Sequence, residues 1–418
     1  MLPAPPSEIA ALLSRPVAVF GAGVSGQGVL ALLAAIGVRG VLYDEKAEGA
    51  DRIYGAKQAG AHALVVFSPG FPPEHSWLAT ARFAGCTCLG ELDFASLFWR
   101  GELVAITGTN GKTTLTEFLA HALNSLGRPA QVTGNIGYPL SRFVVEQPST
   151  TLAVCEVSSF QAETLQYLKP TATLWTNFAE DHLERHPGLE EYFAAKRRLV
   201  EQTPAGASFI GASVARYVRF SGSELPHSTA IASEAQTVDP RLAGSVFRAY
   251  PQYENFLLAA AWWGQAGLPE AGLFAAAQTF SLGQHRFTRV GEKRGVTFWN
   301  DSKATNFHAV EAALATFPGP VLWIGGGKAK GGDLAAFVQR IAGKVRQAFV
   351  MGETKQVLTV HFQACGVPAT ACATLEEAVR SALALAVPGD QLVLSPGFAS
   401  FDMFRGYDDR GRQFESIV

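Results

Sequence analysis

Between residues 103 and 123 an apolar run, Leu103-Val104-Ala105-Ile106, passes through Gly108-Thr109-Asn110-Gly111-Lys112-Thr113-Thr114. It then enters Leu115-Thr116-Glu117-Phe118-Leu119-Ala120-His121-Ala122-Leu123, whose apolar spacing suits a helix. A strand feeding a helix through such a loop belongs to an α/β fold with a parallel sheet flanked by helices. Backbone N–H groups of the loop and the helix N-terminus would face a polyphosphate. Lys112 would reach the outer phosphates and the Thr113 hydroxyl would hold Mg²⁺. The usual phosphate-loop consensus wants glycine five residues before Gly111, where Ile106 stands. The reading is therefore a specialised ATP site rather than an ordinary kinase or GTPase loop. A plain glycine turn is the alternative, and Gly-Lys-Thr-Thr serves packing poorly.

The same alternation extends along the chain and divides it in three. Pro16 to Phe20 reads as a strand, Gly21-Ala22-Gly23-Val24-Ser25-Gly26 as a glycine turn, the stretch through Leu33 as a helix, and Gly40 to Tyr43 as a strand ending at Asp44. This is the order of a dinucleotide-type βαβ unit. Ala63 to Phe67 is a further strand, and Ser68-Pro69-Gly70-Phe71-Pro72 is either a ligand loop at its C-terminus or a connecting turn. A helix near Glu91 to Trp99 leads out of this segment, giving a boundary around 94. Strands at 103–106, 151–157 and 172–177 follow, with a second boundary near 284. The last segment alternates again, with strands at 296–300, 321–325, 348–351 and 391–395.

Composition narrows the function. At 418 residues the chain can hold roughly two to four domains. With 48% apolar and 17% charged residues it is globular, and a formal net charge of -2 argues against a nucleic-acid partner. No stretch reaches membrane-span length and the N-terminus lacks signal-peptide character, so the expectation is a cytoplasmic protein. Cys86, Cys88, Cys155, Cys365 and Cys372 have no metal-ligand spacing and suit reduced structural thiols.

Several polar residues sit at strand ends. Glu156 closes a strand in the segment of the phosphate loop, where an acid can hold Mg²⁺ or orient its water; a helix-start acid is the equal alternative. Asn177 runs into Glu180-Asp181-His182, and His182 is a candidate metal ligand or substrate contact, while His186 before Pro187 suits turn chemistry. Lys196, in a run of three basic residues, reads from the residues alone as a surface side chain.

Taken together these stretches resemble the Mur ligases, ATP-dependent amide ligases of cell-wall precursor synthesis. The matching residues are Gly108 to Thr114, Gly134-Asn135-Ile136-Gly137, Glu156 to Gln161, Asn177 with Glu180-Asp181-His182, and Tyr192 to Lys196. His285-Arg286, Asn300 to Asn306 and Leu394 to Asp402 complete the set, so the resemblance covers essentially the whole chain. The Asp301-Ser302-Lys303-Ala304-Thr305-Asn306 run and the Ser395 to Asp402 run point to the member that joins D-glutamate to UDP-N-acetylmuramoyl-L-alanine.

The resemblance implies three domains: a Rossmann-like UDP-binding domain (1–94), a central P-loop ATPase-type domain (95–284) and a Rossmann-like amino-acid-binding domain (285–418). It implies catalytic roles for Lys112, Glu156, His182 and Lys196. ATP would meet Gly108, Thr109, Asn110, Gly111, Lys112, Thr113, Thr114, Asn255, Arg286 and Asp301. The UDP-linked substrate would meet Val24, Ser25, Gly26, Asp44, Ser68, Gly70, Asn135 and Ser158, and D-glutamate would meet Lys330, Ser400 and Tyr407. Mg²⁺ would be held by Thr113, Glu156, His182 and a carbamylated Lys196, replacing the surface reading of that lysine. The protein would act as a monomer. Three departures stand out, the first being the Gly325 to Asp333 loop around Lys330, which differs in spacing from the usual glycine–lysine pattern. The family's His-Asn-x-x-Asn run is here Pro251-Gln252-Tyr253-Glu254-Asn255, and Tyr407 stands where Phe is usual. A folylpolyglutamate synthase shares the compact loop but lacks the Gly21-x-Gly23-x-x-Gly26 segment ahead of it. A nucleotide-binding regulator without turnover has only Pro251 and Gln252 in its favour.

Overall fold

The computed structural model describes residues 2–225, 227–231 and 237–418. Short apolar runs become buried strands and the amphipathic stretches between them become helices, giving three sheets. The first sheet holds Val17–Phe20 (β1), Gly40–Tyr43 (β2), Leu64–Phe67 (β3) and Thr87–Gly90 (β4), in the order β2-β1-β3-β4 and all parallel. The second holds Leu103–Thr107 (β5), Ala130–Gly134 (β6), Leu152–Glu156 (β7), Ala172–Trp175 (β8), Ser208–Ile210 (β9) and Ser228–Ala230 (β10), in the order β10-β9-β8-β5-β7-β6, again parallel.

The third sheet is Thr288–Lys293 (β11), Val296–Asn300 (β12), Val321–Gly326 (β13), Val345–Met351 (β14), Ala369–Ala371 (β15) and Gln391–Leu394 (β16), ordered β11-β12-β16-β13-β14-β15. Its edge pair β11–β12 is an antiparallel hairpin and the rest is parallel. Each sheet reverses its winding beside a central strand: at β1, at β5 and between β13 and β16. Open parallel sheets take ligands at such points, outside the strand C-termini. The loops carrying Gly21–Gly26, Gly108–Thr114, Gly326–Asp333 and Ser395–Ser400 all lie there.

Packing forms two compact units, residues 1–178 with 190–280, and residues 179–189 with 281–418. In the first unit one of four apolar cores among the described residues runs from Val17, Val29 and Leu32 around β1 to Leu103, Leu140, Phe143 and Cys155 around β5 and β7. In the second, Trp323, Phe337 and Phe398 fill one face of the third sheet, and Leu322, Phe349, Val379 and Phe414 fill the other. All five cysteines are unpaired. No helix among the described residues is long and apolar enough to cross a membrane.

Candidate active site

The phosphate loop of the first unit owes its shape to two glycines and the strand beside it. Gly108 has φ +145°, and a Cβ there would lie 1.9 Å from Thr176 Oγ1. Gly111 has φ +79°, and its Cβ would meet Asn255 Oδ1 at 2.7 Å. No side chain fits at either position without movement. Thr176 Oγ1 donates to Asn110 O (2.6 Å), Asn110 N donates to Asn177 Oδ1 (2.8 Å), and Thr109 N donates to Asn177 O (3.0 Å). The end of β8 therefore braces the loop after β5. Thr113 and Thr114 begin the helix Lys112–Ser125, whose N–H groups open toward the loop.

Lys112 Nζ donates to Gly108 O (2.9 Å) and Thr109 O (2.8 Å), folded back on its own loop. Lys196 reaches the same carbonyl: its Nζ donates to Gly108 O at 3.0 Å and to Thr107 Oγ1 at 3.3 Å, and lies 4.7 Å from the Tyr192 ring centre. At 1% exposure Lys196 is not a surface residue, which corrects the reading drawn from its basic neighbours. The helix Leu189–Glu201 buries Tyr192, Lys196 and Leu199 together, a spacing of four and three that marks one helical face.

Glu156, at the end of β7, is 2% exposed and accepts Asn135 Nδ2 on Oε1 at 2.8 Å. Its Oε2 is buried without a hydrogen-bond partner among the described residues. A buried carboxylate oxygen left open is costly unless a cation or donor completes it, so this acid fits a Mg²⁺ ligand. No three His, Cys, Asp or Glu side chains cluster as a cation site among the described residues, so a metal here would also draw on other donor types. Ser158 caps the short helix Ser159–Ala162 through reciprocal bonds with Gln161.

Around the first sheet, Asp44 accepts Ala22 N (2.8 Å), Lys46 N and Ala47 N (both 2.9 Å). The Ala22 and Lys46 N–H groups hold its carboxyl below the usual range. Val24, Ser25 and Gly26 form the first turn of the helix Val24–Ala35, and Val24 is exposed. A Cβ at Gly26 would overlap Gly21 O, which keeps the turn tight. Ser68 Oγ is buried beside Gly21 without a partner among the described residues, and Gly70 follows in open space.

The second unit carries the other candidates. His182 has φ +57° and pairs through Nδ1 with Glu184 Oε1 at 3.1 Å. Asp181 accepts Asn306 Nδ2 at 2.9 Å, and Lys330 Nζ lies 3.5 Å from its other oxygen and 3.5 Å from Thr305 Oγ1. Asp181, Thr305, Asn306 and Lys330 line an open cleft with Glu180, Leu183, Phe307, Phe398, Gly331, Gly332 and Gly397, whereas His182 and Glu184 do not line it. Ser400 and Tyr407 are not among its lining residues. Ser400 is buried and its carbonyl accepts Met403 N and Phe404 N, while Tyr407 opens the helix Tyr407–Ile417 with Lys303 Nζ 3.7 Å from its ring centre. Sequence reading gave Asp181 and Thr305 no role of their own, although each lies inside a motif it had singled out.

Asp301, just past β12, accepts Phe287 N (3.0 Å) and Ser395 Oγ (2.8 Å), and half-buried Arg286 contributes charge nearby. Burial pushes its carboxyl up to about 7 despite those bonds. Folded protein then keeps a proton that the unfolded chain has lost above about pH 4. This group's contribution to stability is thus full in acid and is lost as pH rises through about 7. Asp301→Asn is expected to flatten the fall of the second unit's unfolding midpoint between about pH 4 and pH 7. Equal slopes in variant and wild type would contradict the raised value.

A phosphate loop with a buried lysine behind it, a buried acid with one oxygen unpartnered among the described residues and a third α/β sheet with a cleft at its strand ends define an ATP-dependent ligase of the Mur type. The chain belongs to the Mur ligase family: residues 106–232 match the Mur ligase middle domain and residues 285–398 the Mur ligase, glutamate ligase domain. It is 36% identical to the UDP-N-acetylmuramoylalanine--D-glutamate ligase of Gloeobacter violaceus, over 96% of this chain and 98% of that one. The enzyme of the same name from Aquifex aeolicus is 34% identical over 96% and 97%. Among solved structures, UDP-N-acetylmuramate-alanine ligase MurC from Thermotoga maritima superposes with a TM-score of 0.60 at 16% identity, covering 96% of this chain and 98% of that one. MurF ligase from the same organism, in complex with ADP, gives 0.57 at 15% identity, covering 87% and 96%. These two likenesses are of fold.

Proposed function

We propose that this protein joins D-glutamate to the L-alanyl carboxylate of UDP-N-acetylmuramoyl-L-alanine at the expense of ATP, a step of peptidoglycan precursor synthesis in the cytoplasm. The observation that carries the reading is the match to D-glutamate ligases at 32–37% identity over 85% or more of the chain, which takes in the first sheet as well as the ATP loop. We read the chain as three domains with boundaries near 94 and 284, binding UDP, ATP and the amino acid in that order, and acting as a monomer.

Amide formation needs the carboxylate made attackable by a neutral amine. ATP gives its γ-phosphoryl to the L-alanyl carboxylate, forming an acyl phosphate and ADP. The amine of D-glutamate attacks the carbonyl carbon, and phosphate leaves from the tetrahedral intermediate. Both steps gather negative charge, which explains a loop of backbone N–H groups with a lysine. Lys112 exchanges its two loop carbonyls for phosphate oxygens, and residues Gly108 to Thr114 hold the chain of phosphates. Thr113, Glu156, His182 and a carbamylated Lys196 would hold Mg²⁺, which would further neutralise that charge.

Asn255 stands against Gly111 at the nucleotide side, and Arg286 and Asp301 are assigned to the nucleotide from the second unit. Glu254 has a separate local duty, accepting Ala212 N at 2.8 Å. Val24, Ser25, Gly26, Asp44, Ser68 and Gly70 are assigned to the UDP end of the substrate and Asn135 and Ser158 to its sugar end. Lys330, Ser400 and Tyr407 are assigned to D-glutamate, with Lys330 offering charge to a carboxylate.

The test is phosphate release by purified protein given ATP, Mg²⁺ and UDP-N-acetylmuramoyl-L-alanine with D-glutamate, L-glutamate, L-alanine or diaminopimelate. Release with D-glutamate and not with the others is expected. Release with another amino acid and none with D-glutamate would contradict the assignment.

A further inference from the structure

The helix Glu91–Ser96, which leaves the first sheet at β4, begins with two acids that a sequence reading would leave in solvent at the helix start. Neither is solvated: Glu91 is 1% exposed and Asp93 is 0% exposed. Asp93 accepts the backbone N–H groups of Gln166 (2.9 Å), Tyr167 (2.7 Å) and Leu168 (2.8 Å), in the loop that leads to β8 of the second sheet. Glu91 Oε1 accepts Ser141 N at 2.7 Å and Ser141 Oγ at 2.6 Å, in the first turn of the helix Leu140–Glu146.

Ser141 is gripped from its other side as well. A Cβ on Gly28 would lie 2.5 Å from Ser141 Oγ and 2.9 Å from Pro139 Cγ, so the helix Val24–Ala35 approaches this serine as closely as a glycine allows. Val29 and Leu32 of that helix share a core with Leu140 and Phe143. Glu91, Ser141 and Gly28 thus form one buried knot joining an element of the first sheet to an element of the second. The two elements are not arbitrary. The helix Val24–Ala35 starts with the turn assigned to the UDP end of the substrate, and the helix Leu140–Glu146 follows the Asn135 to Gly137 turn assigned to the sugar end.

We propose that Glu91 is a positioning residue for the UDP-linked substrate: through Ser141 it fixes the spacing between the Val24–Gly26 turn and the Asn135 turn. The first two sheets then offer a preformed trough whose length is set before the substrate arrives. This rests on the substrate reading given above. Removing the Glu91 carboxyl strands a buried N–H and a buried hydroxyl, and lets the two helices shift against each other. Its second oxygen has no partner among the described residues, and burial pushes the carboxyl up against the pull of the two Ser141 bonds. Both Ser141 donors end on the one oxygen Oε1, which an amide carbonyl can replace, and this makes Glu91→Gln the conservative control.

The experiment is calorimetric titration of the full chain with UDP alone, with ATP and with UDP-N-acetylmuramoyl-L-alanine. It is paired with hydrogen exchange on the unliganded protein. In Glu91→Ala, affinity for the whole substrate is expected to fall about tenfold while UDP and ATP bind within about twofold of wild type. Glu91→Gln is expected to restore the whole-substrate affinity, and Ser141→Ala to give a smaller loss in the same direction. Amide protection in residues 24–35 and 140–146 is expected to drop in Glu91→Ala and return in Glu91→Gln. Unchanged affinity for the whole substrate, or an equal loss for UDP alone, overturns the proposal. So does unchanged protection in those helices. The exchange arm needs no ligand, so it decides the seam even if wild-type protein fails to bind the UDP-linked substrate, a result that would instead overturn the substrate reading. Should Glu91→Ala not fold, Ser141→Ala carries both measurements.

Discussion

Replacing Lys112 with alanine is expected to abolish turnover, by about three orders of magnitude or roughly 4 kcal/mol of transition-state stabilisation. The UDP-linked substrate should bind nearly as before. The size follows from the role proposed for the ammonium, the charged donor of a loop otherwise offering backbone N–H groups, placed where the transferring phosphoryl group would gather charge. The selectivity follows from geometry. The loop keeps its ties from Thr176 and Asn177 without Lys112, and the residues assigned to UDP lie on the first sheet and the Asn135 turn. Steady-state rates and calorimetric titration of the same preparation separate the two effects. Equal loss of turnover and of substrate binding would contradict the division of labour between the sheets.

Replacing Lys196 with alanine is expected to be nearly as severe, and partly reversible. The side chain is buried, ends on Gly108 O and Thr107 Oγ1, and lies against the Tyr192 ring. Its loss opens a space beside the phosphate loop and lowers stability by about 1–3 kcal/mol from lost packing. If Lys196 acts as a carbamate, formed when its neutral amine adds to CO₂ with release of a proton, the variant lacks a carboxylate as well as a lysine stem. Formate, acetate or propionate can then enter the vacated space and return part of the activity. The expected result is loss of turnover by about two orders of magnitude, with measurable recovery as the added carboxylate is raised. Wild-type activity in the variant would refute the carbamate role, and a folded variant that no short carboxylate revives would leave it without support.

How much of this was legible depends on where the determining contacts lie. Gly40–Tyr43 and Val296–Asn300 are strands over the residues their apolar character predicts. The phosphate loop was legible because its chemistry is carried by backbone and spacing. The strands Thr87–Gly90 and Ala130–Gly134 were missed: each is short and only partly buried, with polar residues in a five-residue span or less. Lys196 was misread from residue type because its burial depends on the Gly108 carbonyl and the Thr107 hydroxyl, brought from a distant part of the chain. The buried face it shares with Tyr192 and Leu199 was the available signal.

Arg410 offered no such signal. It sits among Asp408, Asp409 and Arg412 in a stretch that reads as solvated, yet it is 0% exposed and donates to Ser302 Oγ, Ser302 O and Phe398 O. Burial lowers its guanidinium to about 10. Only the third sheet, by bringing the loops after β12 and β16 together, gives it partners. The pairing of Lys330 with Asp181 is of the same kind, since its two residues come from distant parts of the chain.

The central claim is that the γ-phosphoryl group of ATP passes to the substrate's own carboxylate before the amine attacks. UDP-N-acetylmuramoyl-L-alanine labelled with ¹⁸O in the alanyl carboxylate tests it directly, with the released phosphate analysed by mass after reaction with D-glutamate. One labelled oxygen in each phosphate is the predicted result, because the oxygen that bridged carbon and phosphorus leaves with phosphorus. Phosphate released without label, alongside amide product, would contradict the acyl phosphate and with it the account of the site.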